Sequence, residues 1–227
     1  MKIRYILSSV ALASLSLTSC SDLDTAPEGN IITSDKKGEI LEEMPERGLA
    51  GVRAIFQGLS AYEPNYEAFG KIERHNDIGY PSVLMFTDAN TEDVVSDPNG
   101  YNWNENSLDY SDRTYTSYES QMVWNDHYNA IYVANTVIKG YNTGEDPTNE
   151  EARFFYAQGL AARAYFYFNL AQLYQFTYKD NETKPCIPVV TDENTAKSQV
   201  EGTPCSTVEE TYTQIKSDID HAITLLE

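Results

Sequence analysis

Between Asn99 and Asn106 the chain places Tyr101, Asn102, Trp103 and Asn104 in succession. An exposed indole or phenol offers a flat apolar platform, and asparagine amides carry both donors and acceptors. Together they suit a ligand with an apolar ring face and a hydroxylated edge, as a sugar ring has. The other reading of Trp103 is a ring folded back onto neighbouring helices, and the sequence leaves both open. Asp97, Asn99 and Asn104 offer oxygen ligands for calcium but lack its regular ligand spacing. The remaining reactive residues form no catalytic pattern. His75, His127 and His221 lie far apart, outside any metalloprotease or nucleophile-elbow motif. With 35 acidic residues, carboxylate pairs for glycoside hydrolysis exist everywhere and none is marked. The expectation is a protein that binds rather than catalyses, with no metal or cofactor.

A different chemistry is concentrated at the start. Lys2 and Arg4 precede an apolar run through Ile6, Leu7, Val10, Leu12 and Leu15, with no acid before residue 22. The run is shorter than the roughly 20 residues a membrane span needs. It ends in Leu17-Thr18-Ser19-Cys20, which resembles the bacterial lipobox. That likeness implies removal of residues 1–19 and lipidation of Cys20. Acyl chains contribute about 0.8 kcal/mol per buried methylene, and two or more make anchoring stable. Residues 20–34, with Asp22 and Asp24 behind the cysteine, read as a tether. The acidic pair resembles a surface-export signal and equally suits a solvated linker. Beyond the leader only Cys186 and Cys205 remain, in one loop region of an exported chain. A disulfide between them and two free thiols are both allowed there, and zinc is disfavoured because no histidine is near.

The elements that position these residues are helices. The net charge of −19 excludes nucleic acid and anionic surfaces as electrostatic partners, and a 41% hydrophobic content fits one globular domain over 35–227. Ser34-Asp35 caps a first helix carrying Ile40, Leu41 and Met44. Pro45 suits the first turn of a second, whose apolar face is Leu49, Val52, Phe56 and Leu59. Gly48, Gly51 and Gly58 there allow close approach of a neighbour. A third helix is expected from Pro81 to just before Asp97-Pro98. Ser96 to Ser120 shows no sustained period and reads as a long irregular excursion. Trp124, Tyr128, Ile131, Asn135 and Ile138 recur at 4, 3, 4 and 3, one face of a long helix. Asp146-Pro147 opens the next, which runs to about Tyr174 with Phe155, Leu160, Ala164, Phe168 and Ala171 inward. After a second loop with an extended Cys186–Val190 piece, Ser206 and Glu209 form a capping box. The last helix repeats Val208, Tyr212, Ile215, Ile219, Ala222 and Leu226, with His221 on its surface. No glycine, proline or polar cap closes it, so the domain is expected to be incomplete at its C-terminus.

These helices carry a resemblance. Trp124-x3-Tyr128-x2-Ile131-x2-Ala134-Asn135-x-Val137-Ile138 resembles a helix of the SusD/RagB lipoproteins. Ala161-Ala162-Arg163-Ala164-Tyr165-Phe166-Tyr167-Phe168, Ile187-Pro188-Val189-Val190 and the Ser206–Leu226 helix resemble the blocks that follow it. Gly79-Tyr80-Pro81-Ser82 and the Asp88–Val95 run resemble an earlier one. The resemblance implies an all-α, tetratricopeptide-like repeat scaffold with long loops. It implies a surface lipoprotein of the cell outer membrane that captures glycans, uses no cofactor, and passes them to a SusC-like TonB-dependent transporter. Capture of peptides, docking of a partner protein, or a fragment without function are the alternatives. Full members continue for several hundred residues that hold part of the ligand site, and the last helix here ends without a neighbour, so this chain alone is expected to bind glycans weakly or not at all. Trp124, Tyr128 and Asn135 read as interhelical packing with a hydrogen-bonded buried amide, and Arg163 as the partner of an acid or a carbonyl cap.

Overall fold

The computed structural model describes residues 34–57, 79–95 and 104–227. Cys20, the leader and Tyr101, Asn102 and Trp103 lie outside the described residues. Those described form helices α1 (Ser34–Glu43), α2 (Gly48–Gln57), α3 (Tyr80–Ala89), α4 (Glu105–Leu108), α5 (Tyr118–Tyr141), α6 (Glu150–Tyr174), α7 (Thr195–Glu201) and α8 (Val208–Leu226). Among them no strand occurs, only one antiparallel bridge between Pro185 and Thr207. The all-helical expectation holds. No described helix is long and apolar enough to cross a membrane.

Three long helices run antiparallel in succession. Tyr141 stacks on Tyr156 near one end of the α5–α6 pair, and Trp124 meets Tyr174 at the other. In the α6–α8 pair Tyr156 meets His221, and Phe168 meets Tyr212. Small residues set these approaches. A Cβ on Gly159 would lie 3.1 Å from Ile138 of α5. On Gly48 it would lie 1.7 Å from the Tyr141 hydroxyl, so α2 reaches α5 only because residue 48 has no side chain. Ile131, Ile138, Leu170, Phe166, Tyr167, Ile187 and Val208 fill the core.

Several boundaries differ from the sequence expectation, each for a physical reason. The α6 helix is capped by Asn149, whose side chain accepts from Glu151 and Ala152 N–H groups at 2.9 and 3.2 Å. Asp146 instead meets the His221 ring at 2.8 Å. His221 is therefore half-buried against Tyr156 and not a plain surface residue. The last capping box is Thr207 with Glu210, one residue later than expected. Ser206 is held elsewhere: its N–H donates to Ile187 and its carbonyl accepts from Cys186. The α3 helix stops at Ala89, because Asn90 turns back to donate its amide to the Phe86 carbonyl. In α2, Ile55 is buried while Leu49 is exposed. The short α7 inside the second loop was not expected.

The largest difference is a rotation of α8. Its buried face is Val208, Thr211, Ile215, Asp218, Ala222 and Leu225, not the face running through Ile219 and Leu226. An ion-paired aspartate replaces an isoleucine at the interface. Ile219, Ile223 and Leu226 stay exposed, and Ile219 lines a groove with Phe168 and Tyr165 of α6.

Candidate functional site

Trp124, Tyr128, Asn135 and Arg163 form one network that ties three helices to the second loop. Tyr128 donates to the Pro188 carbonyl at 2.7 Å. The Asn135 amide donates to Val190 O at 2.8 Å, and its oxygen accepts from Arg163 at 2.8 Å. Arg163 donates to both Asp218 oxygens at 2.8 and 2.7 Å and to Asp192 at 2.8 Å. Its two carboxylate partners hold the guanidinium charged, raising its pKa against the opposing effect of burial. Tyr167 closes the ring, donating to the Val190 carbonyl and accepting its N–H. The network fixes the path of residues 187–192, and it is buried. Cys186 and Cys205 are nearby as free thiols, the first buried and the second exposed. Burial pushes the Cys186 thiol up from its ordinary value.

A different region offers an open cleft of about 1160 Å³. Its walls are the end of α3, the loop 109–117, the first turns of α5 and the last turn of α6. The loop is pinned on all sides. Asn106 donates to buried Glu119 at 3.1 Å, and Asp112 N–H donates to Asn106 O at 3.2 Å. Arg113 lies 4.0 Å over the Tyr110 ring and donates to Asn90 Oδ1 and O, both at 3.1 Å. The Asn90 amide donates to Asp112 Oδ2 at 3.1 Å. Tyr174 donates to Ser120 O, and Trp124 packs between Tyr128 and Tyr174 while also lining the cleft. Burial raises the Tyr174 and Tyr128 phenols well above 10, so both remain neutral donors.

Two polar atoms in this cleft lack a partner. Asp112 is 1% exposed and its Oδ1 accepts no hydrogen bond. Asn125 is 8% exposed and its Nδ2 donates none. A buried polar atom without a partner costs about 1–3 kcal/mol, so Asp112 Oδ1 would gain from a donor and Asn125 Nδ2 from an acceptor. A hydroxyl group is both. Beside them Tyr115 is 97% exposed, a flat ring available for stacking. Among the described residues no group of three acidic, histidine or cysteine side chains is placed to hold a metal.

Of the expected loop residues, only Asn104 lies among the described ones. Asn104 supplies the backbone cap of α4, accepting at its carbonyl from Ser107 and Leu108, and is no part of the cleft wall. Asp112, Asn125, Asn90, Arg113 and Tyr115 were not singled out from the sequence. No periodicity marks them, since four sit in irregular backbone and Asn125 lies beside the apolar stripe of α5.

The described geometry has counterparts among known proteins. A SusD-like carbohydrate binding protein from Bacteroides vulgatus has a structure that superposes with a TM-score of 0.65, at 23% identity, over 79% of this chain and 35% of that one. A SusD superfamily protein from Bacteroides thetaiotaomicron gives 0.48, at 19% identity, over 82% and 37%. This chain thus spans roughly a third of the length of either. No curated protein sequence matches it at a significant level. A family model, SusD-like and described as starch-binding and associating with the outer membrane, matches residues 78–227. With a matching fold and a family match over most of its length, the chain belongs to the SusD-like family.

Proposed function

We propose that this protein captures glycans at the outer membrane and passes them to a TonB-dependent transporter, with the cleft walled by α3, α5, α6 and the 109–117 loop as its part of the binding surface. The observation that carries this reading is the buried, unpartnered pair of Asp112 Oδ1 and Asn125 Nδ2 beside the exposed Tyr115 ring. A saccharide hydroxyl satisfies both atoms while the sugar face stacks on the phenol. The task is binding without bond cleavage. Cys20, as a lipidated N-terminus, would hold the tetratricopeptide-like scaffold on the membrane with the cleft facing the exterior. The tether and the loop with Tyr101, Asn102 and Trp103 belong to the same proposal, the loop extending the platform.

The test is titration of the chain with a panel of neutral oligosaccharides, followed by NMR shifts. Binding is expected to be weak, on the order of 1 mM or about −4 kcal/mol. Tyr115→Ala and Asn125→Asp are each expected to weaken it at least fivefold; the second turns the free donor into an acceptor at constant size. Silence toward every glycan, or binding indifferent to both substitutions, overturns the assignment. The reading predicts a TonB-dependent transporter gene beside this one, and co-purification with its product tests the partner.

One observation favours a second reading, docking of a protein segment. A groove of about 1140 Å³ between α6 and α8 is lined by Tyr165, Phe168, Tyr212 and Ile219. Exposed apolar side chains this closely grouped mark a surface that packs against protein. Loss of partner co-purification in Ile219→Lys, with glycan binding unchanged, supports that reading; retention removes it.

A further inference from the structure

The chain carries 35 acidic and only 16 basic residues, so any two cations that converge without an acid between them require explanation. Lys37 of α1 and Lys139 of α5 do so. Both line a pocket of about 310 Å³ enclosed by α1, the C-terminal half of α5 and α7. Neither forms an ion pair among the described residues, although Lys36 next door pairs with Glu39 at 2.6 Å and Lys197 with Glu201 at 3.7 Å. Lys37 is laid over the α5 backbone. Its ammonium donates to the Thr136 carbonyl at 3.3 Å. A Cβ on Gly140 would come within 2.8 Å of Leu41 Cδ1 and 3.4 Å of Lys37 Cε, so the glycine lets α1 lie close to α5 here. One donation leaves two of its N–H groups unassigned.

The surroundings of Lys37 also disfavour its charge. Partial burial and then the Lys139 charge lower its pKa, and no carboxylate acts in the other direction. The one acid in the pocket wall, Asp192, is committed elsewhere. Its Oδ1 accepts from Arg163 at 2.8 Å and its Oδ2 from Asn142 at 3.0 Å. The negative end of α5 offsets part of the repulsion between the lysines. It does not supply a counterion. Around the ammonium groups the wall adds further hydrogen-bonding side chains, the exposed Tyr132 phenol and the Gln199 amide.

We infer that this pocket binds a small oxyanion, a carboxylate or sulfate group, between Lys37 and Lys139. Two ammonium groups and neutral donors around a small concavity form the charge-assisted arrangement that such groups take up. The volume lies at the lower end of the ~300–1,000 Å³ of small-molecule sites. It admits one acidic monosaccharide or an inorganic anion, not an oligosaccharide. The pocket shares no wall residue with the glycan cleft, so its test stands apart from the function proposed above.

The experiment titrates the whole chain with sodium sulfate, sodium glucuronate and, as a neutral control, glucose, at low chloride. Lysine ammonium NMR signals and calorimetry supply the readouts. Saturable one-to-one binding of sulfate or glucuronate, with no response to glucose, is expected. Binding of sulfate alone assigns the site to inorganic-sized anions; binding of glucuronate assigns it to uronates. The bound anion should raise the Lys37 pKa, reversing the effect of Lys139. Lys139→Gln, at an exposed position, should cut affinity at least tenfold without lowering the melting temperature, and Lys37→Gln should do the same. The inference is overturned if neither anion saturates, or if both variants bind as the wild type does.

Discussion

Replacing Arg163 by methionine should destabilise the fold by about 3–5 kcal/mol, the range for removing one partner of a buried ion pair. The structure shows where that figure comes from. Arg163 is 4% exposed and makes four hydrogen bonds, to Asp218 twice, to Asp192 and to Asn135. Methionine fills most of the space but leaves two carboxylates in the interior. Asp218 keeps only the Gln214 amide at 2.9 Å, Asp192 only Asn142 at 3.0 Å, and the Asn135 oxygen loses its donor. For a domain of ~150–250 residues, 1 kcal/mol moves the melting temperature by about 2–4 °C, so the variant should melt roughly 6–20 °C lower. Urea unfolding followed by circular dichroism measures the loss directly. Asp218→Leu alone should be similarly damaging, while Arg163→Met with Asp218→Leu should cost less than the sum by about 1–3 kcal/mol. The reasoning fails if Arg163→Met costs under about 1 kcal/mol, or if the double variant is additive, since either result means the groups are solvated in solution.

Three further outcomes follow from features of the same core. Gly48→Ala forces a Cβ against the Tyr141 hydroxyl and should cost about 1–3 kcal/mol as overpacking; adding Tyr141→Phe, which removes the obstructing atom, should recover part of it in the same denaturation assay. His127 is fully buried, and neither ring nitrogen makes a hydrogen bond, although Nδ1 lies 3.3 Å from Asp126. His127→Leu should therefore leave the melting temperature unchanged or raise it, and a clear fall would show that the ring has a partner in solution. Burial, followed by nearby carboxylates, pushes the Tyr141 and Tyr156 phenols up to about 12. Below about pH 10 both the folded and unfolded chains keep these protons. Between about 10 and 12 only the unfolded chain loses them, so the urea midpoint should drop across that window. A flat midpoint there, or an unchanged slope in Tyr156→Phe, refutes the assignment.

The helices were legible because their signals are local. Pro45 in a first turn and the 4-3-4-3 recurrence through Trp124 and Ile138 are read within a few residues. What stayed hidden depended on contacts across the fold. The Asn149 cap won over Asp146 because His221, 75 residues away, is Asp146's partner. The buried face of α8 was misplaced because an apolar count ranks Ile219 above Asp218, whereas the position of Arg163 reverses that order. The cleft was illegible for a similar reason. Asp112 and Asn125 matter because each ends the fold with an unpaired atom, and a sequence shows which groups can bond, not which are left over. Trp103 drew attention by residue type alone, and it lies outside the described residues.

The guanidinium at position 163 also bears on how the chain is made. Asn135 precedes it, but Asp192 and both contacts from Asp218 come later. A polypeptide emerging N-terminus first carries a charged Arg163 on α6 for the synthesis of 55 further residues before its last partner exists. Until then α5 and α6 cannot close over it without isolating a charge. The pairing of α5 with α6 therefore waits on α8, and the helices consolidate together rather than one hairpin at a time.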